Sequence, residues 1–385
     1  MTLRGPWVIA LAMFFGSFSW SFVYVSLPFH IQAISTLDPA ATLRWTGWIV
    51  GIASLVTVVT APLGGRVIGG RDPILFYSIV QFFQGVCFMS MALARTLPEL
   101  FLSRLILGAA GASSTFAFMV SGQEESPTAV RRHVAVVQSA MTVGQLVGPL
   151  VGAIAAARLG FRASFVVGGV IIIACGGLVL LVTPRARPAE RVAPPERRAR
   201  PRDVVAVGMI VLGASIQVFF LTSVLPQVLP PLGVSGRDTL TTGGLLMFLS
   251  GAGAALGSML APRLSDLFPE RRLLVALLVG SSCLLAALAP LASLPIYAVI
   301  RFLQVLLVAP VFPIVVSRIA PHAGGQAIGL LNSARIGAAF AGPVVATTLL
   351  AWVPLWTVYL VLAVIGLACV PFALMRGPGE ARSRG

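Results

Sequence analysis

The sequence predicts an all-α membrane protein with twelve transmembrane helices in two pseudo-symmetric six-helix halves, and three observations carry that reading. Of 385 residues, 57% are hydrophobic and 10% charged, with a mean hydropathy of +0.96. That is too little polar surface to cover a soluble domain. Apolar runs of the roughly 20 residues that a hydrocarbon core of about 30 Å demands recur twelve times. Landmark residues also repeat at an offset close to half the chain, the mark of an internal duplication.

Taken in order, the first run (7–34) opens GPWVIALAMFFGSFSW and stays apolar to Pro28 without a small-residue cleavage site. It is expected to be an uncleaved span rather than a signal peptide. Runs follow at 45–63 and 74–94, the latter holding Gln81 and Gln84, and at 98–121, with Arg104 about six residues in. The fifth run, 134–157, contains GQLVGPLVG, and the sixth covers 162–183. Next comes TPRARPAERVAPPERRARPRD, rich in proline and arginine, which reads as a solvated linker. It divides the chain into an N-terminal half (1–183), a linker (184–203) and a C-terminal half (204–385). The second half supplies runs at 204–228, 241–262, 273–290, 294–317, 327–350 and 355–375. In the tenth, Pro310 and Pro313 are expected to break the helix.

The repeat supports this division. Gly16 and Pro28 of the first run correspond to Gly213 and Pro226 of the seventh, 197 and 198 positions on. Arg104 in LSRLILG matches Arg301 in VIRFLQV, offset 197, and Gly148-Pro149 recurs as Gly342-Pro343, offset 194.

All 27 basic residues are arginines. With the N-terminus inside, 19 fall on the inner side and 5 on the outer, so the positive-inside rule places both termini and the linker in the cytoplasm. The net charge of +15 is therefore topological. The arginines lack interleaved aromatics, and nucleic acid is not an expected partner. Cys87, Cys175, Cys283 and Cys369 form no CxxC pair, and His30, His133 and His322 lie far apart without a catalytic or metal-ligand spacing. No catalytic residue, metal or cofactor is expected, and the chain does not read as an enzyme.

Twelve spans in two repeated halves joined by a basic linker resemble the major facilitator superfamily of transporters. Local motifs sharpen the resemblance. GQLVGPLVG is similar to the span 5 motif of the drug:proton antiporter branch, and Arg104, Gly108 and Gly111 in SRLILGAAG to the span 4 motif. The loop APRLSDLFPERRLL, with Asp266, Arg271 and Arg272, is similar to the superfamily's gating loop. Its first-half counterpart APLGGRVIGGRDPIL departs from the pattern: Arg66 and Arg71 lack a preceding aspartate, and Asp72 follows instead. The resemblance implies proton-driven efflux by a monomer, with a small-molecule substrate, the lipid bilayer as surroundings and H+ as coupling ion.

Gly144, Gly148 and Gly152 share one helix face, where glycine lets another backbone approach closely, and Pro149 removes a helical hydrogen bond. In a two-half transporter these residues, with Gly342 and Pro343, are expected to form a kinked gating seam between the halves. Ordinary small-residue helix packing is the alternative.

Charges inside the membrane are the stronger functional signal, since each costs at least about 2.5 kcal/mol at mid-bilayer unless it meets water or a partner. Arg104 and Arg301 lie roughly 10 Å from the outer interface, where they either snorkel or face a cavity. Arg335 lies about 12 Å deep, with Asn332 three residues before it on the same face. It either contacts substrate or ties to backbone carbonyls. All twelve acidic residues fall in loops or at span ends, so no mid-membrane carboxylate neutralises these arginines, and proton coupling would use an unusual site such as Glu124 or Glu125 at the inner end of the fourth run, or the substrate itself. This favours substrates bearing a carboxylate, phosphate or sulfonate. Tyr24, Gln84, Gln145, Gln217 and Gln304 are further candidates for the cavity wall, with helix-to-helix hydrogen bonding as their alternative role. Trp45, Trp48, Trp352 and Trp356 read as interfacial anchors.

The expected activity is alternating-access export of a small amphipathic or anionic compound across a cell inner membrane, the geometry being taken from the resemblance. Import by the same machinery comes second, and a transporter-like sensor or assembly protein that moves nothing is a third reading.

Overall fold

The computed structural model describes residues 5–67, 72–111, 113–121, 127–183, 201–236, 238–319 and 325–375. Among them, regular structure is helical throughout: α1 (Gly5–Tyr24), α2 (Ser26–Ile34), α3 (Pro39–Val67), α4 (Pro73–Leu93), α5 (Leu97–Ala109), α6 (Ser113–Ser121), α7 (Pro127–Leu159), α8 (Phe161–Val182), α9 (Pro201–Val228), α10 (Asp238–Leu267), α11 (Glu270–Ala287), α12 (Leu294–Val308), α13 (Val311–Ile319), α14 (Gly325–Leu350), α15 (Leu355–Leu367) and α16 (Val370–Leu374).

Ten segments among the described residues are long and apolar enough to cross a membrane. Two predicted runs fall short of that standard for local reasons. The fourth divides into α5 and α6, of 13 and 9 residues. The ninth, α11, has 18 residues but opens on Glu270, Arg271 and Arg272. The first run also divides, at Val25 between α1 and α2, and the twelfth divides around Ala368 and Cys369. The tenth divides at Ala309 and Pro310, as the prolines predict, whereas Pro313 is accommodated near the start of α13. Pro149 does not end α7, which runs through it for 33 residues. Membrane helices tolerate a missing backbone donor when neighbours repair the site.

The helix patterning is inside out. On α4, Leu75, Ile79, Phe82, Phe83 and Val86 are exposed at helical spacing, while Ser78, Gln81 and Gln84 are buried. An exposed stripe that apolar suits lipid and not water, and the polar side chains then find partners within the bundle. Ser78 Oγ donates to Gly176 O of α8 at 2.9 Å, and Gly85 and Gly169 let the same two helices cross backbone to backbone. Short links complete the ends. Asp72 caps α4, its Oδ1 accepting from Ile74 N at 2.9 Å. Thr96 and Glu99 form a capping box on α5. Gly160, at φ +84°, turns α7 directly into α8.

Contacts divide the chain into two compact units. The first comprises Met1–Asp38, Trp48–Val192 and Gly236–Phe248, the second Pro39–Gly47, Ala193–Ser235 and Leu249–Gly385. Unit 1 centres on a core in which Ile9 and Met13 of α1, Tyr77 of α4, Phe116 of α6, Val137 of α7 and Val179 of α8 meet. Unit 2 centres on Val211 of α9, Leu274 and Leu278 of α11, Val311 and Val315 of α13 and Leu331 of α14. The division cuts α3 and α10, so the first turns of each belong to one unit and the remainder to the other.

The glycine ladder has a different partner from the expected one. An added Cβ on Gly148 would lie 2.6 Å from Phe18 O, while Cβ atoms on Gly144 and Gly152 would come still closer to Phe14 O and Phe22 O. Phe14, Phe18 and Phe22 are themselves four apart on α1, so the ladder is a seam between α1 and α7 inside unit 1. For Gly144, Gly148 and Gly152 the partner is therefore α1 and not the other half as expected, while Pro149 O faces Gly244 of α10. Gly342 plays the same part in unit 2 against Ile216 and Phe220 of α9, with a looser fit of 3.2–3.3 Å.

Candidate functional site

Arg104 on α5 is buried, with Nε donating to Ile49 O at 3.1 Å and Nη2 to Val50 O at 2.8 Å, both carbonyls of α3. Trp20 of α1 lies under the guanidinium at 5.9 Å, and the Tyr24 hydroxyl partners it. Arginine suits this place because its fork reaches two carbonyls at once and stacks on an aromatic face. Trp20 Nε1 also donates to Gln84 Oε1 at 3.1 Å, and Gln84 Nε2 donates onward to Ala110 O at 2.6 Å. Ala110 O is one of the carbonyls released where the fourth run breaks. Another, Gly108 O, accepts from Thr57 and Thr60 of α3 at 3.0 and 3.3 Å. Both carbonyls thus have side-chain donors, and Gly108 packs against Ala53 O, 2.5 Å from where its Cβ would stand.

Unit 2 repeats the theme with different side chains. Arg301 on α12 is buried and donates to Gln217 O and Val218 O of α9, each at 2.9 Å, and to Gln304 Oε1. Gln304 Nε2 donates to Gln217 Oε1 at 3.1 Å, and Gln217 Nε2 to Ser282 Oγ of α11 at 2.9 Å. Phe220 stacks on the guanidinium at 5.1 Å. Trp20, whose ring lies under Arg104, and Gln217, whose carbonyl accepts from Arg301, are 197 positions apart. Neither arginine snorkels, and both charges point at backbone carbonyls. Gln84, Gln217 and Gln304 are sealed beside them, and Tyr24 is half-buried.

Arg335 is placed differently. It lies ten residues into α14, about 15 Å along the helix. Its side chain is exposed to solvent although protein surrounds it. The guanidinium stands 5.0 Å over the ring of Phe312 on α13, and among the described residues it has neither a carboxylate nor a carbonyl partner. Asn332, one turn earlier, is also exposed. In unit 1, Gln145 is exposed on α7, and Gln138 and Thr142 lie on the same stripe. A polar stripe on a membrane helix is costly against lipid and cheap against water. Gln138 and Asn332 are 194 positions apart, the offset of the two Gly-Pro pairs. The structure thus separates the predicted residues into an open group, Asn332, Arg335 and Gln145, and a sealed group around Arg104 and Arg301.

Of the gating residues, Asp266 is exposed in the last turn of α10 and Arg272 in the first turn of α11, while Arg271 is half-buried. Asp72 serves as a helix cap. Arg71 and the side chain of Arg66 lie outside the described residues. Two glycines that sequence reasoning passed over make close crossings. A Cβ on Gly47 of α3 would lie 2.9 Å from Pro343 O of α14, in unit 2. A Cβ on Gly244 of α10 would lie 3.0 Å from Pro149 O of α7, in unit 1. Gly47 and Gly244 are also 197 positions apart, so a search for glycines at the repeat offset finds them.

Comparison with known proteins agrees with this architecture. The family model described as Major Facilitator Superfamily matches residues 9–243 and 207–384. The chain is 27% identical over 348 residues to the MFS-type transporter YuxJ of Bacillus subtilis, covering 87% of each. It is 26% identical over 353 residues to the multidrug resistance protein MdtG of Dickeya zeae, covering 86% of this chain and 83% of that one. Among solved structures, the nucleoside transporter NupG shares the fold with a TM-score of 0.77 at 14% identity, covering 97% of this chain and all of NupG. An all-helical membrane protein matched along its length by this family is not an enzyme: the chain belongs to the Major Facilitator Superfamily of transporters.

Proposed function

We propose that this chain is a monomeric exporter of small organic anions, built from twelve transmembrane helices in two six-helix halves divided at residues 184–203. The observation that carries the reading is Arg335: a cation deep in a membrane span, open to water, stacked on Phe312 and lacking an acidic partner among the described residues. Such a group attracts a ligand carboxylate, phosphate or sulfonate, and repels lipophilic cations. Phe312 beneath it favours an anion with a planar apolar part. Export is supported by similarity to MdtG, whose name is that of a multidrug resistance protein, and by the glycine motif of α7. Arginine asymmetry supports an inner-membrane topology with both termini in the cytoplasm. Alternating access about a site near the bilayer midplane follows from the family's repeated architecture.

The test is thermal stabilisation of the purified protein by naphthalene-1-sulfonate, phenylalanine and tetraphenylphosphonium, in wild type and Arg335→Ala. A ligand at a hundred times its Kd stabilises the native state by about 2.7 kcal/mol. The sulfonate should raise the melting temperature of wild type and leave Arg335→Ala unchanged. Equal stabilisation of both proteins by the cation sinks the anion reading.

A further inference from the structure

We propose that the corner of unit 2 where α3 begins and α14 ends is a binding site for an anionic phospholipid, held by its phosphate on Arg44. The site is independent of what the protein transports. All three tryptophans of unit 2, Trp45, Trp352 and Trp356, lie at this corner, in the first two turns of α3, the α14–α15 connection and the first turn of α15. An interfacial belt would spread indoles around the molecule. The repeat offset of 197 gives Thr241 and Thr242 as counterparts of Arg44 and Trp45, and Arg158 and Arg162 stand 194 positions before Trp352 and Trp356, so none of these counterparts is an indole.

Packing sets the arginine in place. The crossing of α3 and α14 at Gly47, against Pro343 O, lies one turn from Arg44, and the guanidinium stands 5.8 Å over the ring of Trp352. The ring covers one face of the guanidinium plane and leaves its edge, where the N–H donors lie, to the surroundings. Arg44 is exposed, and so is Trp352, at 75%. A fork of donors held on an indole at headgroup level matches a phosphate. From this corner α15 runs into the membrane with Trp356, Leu360, Val364 and Leu367 exposed at helical spacing. That stripe is about 16 Å long, the depth of one leaflet of a hydrocarbon core of about 30 Å, and it suits an acyl chain. A phosphate site continued by an acyl-chain stripe takes a phospholipid and not a free phosphate ion. A basic side chain near the surface favours a net-negative headgroup over a zwitterionic one by about fivefold.

The experiment uses the full chain carrying Trp7→Phe and Trp48→Phe, which leaves Trp352 and Trp356 as the exposed indoles among the described residues. It is reconstituted in vesicles of equal parts phosphatidylcholine and phosphatidylglycerol, with the acyl chains of one lipid or the other dibrominated, so that surface charge and bromine content match in the two sets. Bromine quenches indole fluorescence on contact, and the ratio of quenching in the two sets gives the preference at the site. That ratio should favour phosphatidylglycerol by about fivefold. It should fall to about one in Arg44→Gln, and persist in Arg95→Gln, which removes an exposed arginine of unit 1.

Equal quenching by the two lipids in the parent chain overturns the site. So does a preference that persists in Arg44→Gln, or one that Arg95→Gln removes as completely, which would make it a property of the surface charge as a whole. Because its side chain is exposed, Arg44→Gln should melt with the parent chain. A variant that does not fold makes Arg44 a structural group and overturns the proposal as well.

Discussion

Replacing Gly152 by alanine tests the α1–α7 seam most directly. The new Cβ would sit 2.6 Å from Phe22 C and 2.7 Å from Phe22 Cα, and closer than either to Phe22 O. Real Cβ contacts essentially never fall under 3.0 Å, so α1 must withdraw by more than the 0.4 Å that separates 2.6 from 3.0. These are backbone atoms of a helix and cannot swing aside as a side chain end would. Overpacking of this kind costs about 1–3 kcal/mol. The upper half of that range applies, since three backbone atoms are struck and the neighbouring rungs Gly148 and Gly144 also meet backbone of α1. Alanine recovers about 1 kcal/mol of helix propensity relative to glycine. The net expectation is destabilisation by about 1–2 kcal/mol. Gly177 on α8 is the control: nothing lies within 4 Å of its added Cβ, so Gly177→Ala retains only the propensity gain and should stabilise by up to about 1 kcal/mol. Unfolding by SDS titration in mixed micelles, followed by tryptophan fluorescence, measures both. Equal shifts in the two variants, or a Gly152→Ala protein as stable as wild type, would refute the argument that backbone contact fixes these glycines.

Three further outcomes are expected. Arg104→Lys and Arg301→Lys should each lower stability by about 1.5–3 kcal/mol in the same titration, because an ammonium cannot fork two carbonyls, while Arg335→Lys should change it by under about 0.5 kcal/mol. Comparable losses at all three positions would make Arg335 a structural group. Thr347 is fully buried beside Gly47, so a Thr347→Cys protein should resist a water-soluble maleimide, and adding Gly47→Leu should make it reactive by forcing α3 off α14; unchanged protection would show that Gly47 does not control this crossing. A C-terminal fusion to green fluorescent protein should fluoresce and a fusion to alkaline phosphatase should be inactive, the reverse pair placing the C-terminus outside.

The helical membrane fold was legible in one dimension because lipid imposes its demand residue by residue. A span must be apolar for about 20 residues and must satisfy its backbone internally, and both conditions show in hydropathy alone. The repeated offsets of 197 and 194 were also readable in one dimension. Helix breaks were less so. Pro310 announced the break in the tenth run, but the breaks at Val25 and at Ala110 carry no proline, and the second depends on hydroxyls of Thr57 and Thr60 that arrive from another helix.

The sequence by itself determined which side chains are expensive in a membrane: three arginines and a set of glutamines with no carboxylate among them. It could not say what each one meets, because depth along a helix is a one-dimensional property and the facing direction of a side chain depends on the neighbouring helices. Tertiary packing alone turned Arg104 and Arg301 onto carbonyls of α3 and α9, and left Arg335 exposed over Phe312. It likewise decided that the ladder of Gly144, Gly148 and Gly152 rests on Phe14, Phe18 and Phe22 within one unit. A glycine face shows that a backbone comes close, and only the packed structure shows whose backbone it is.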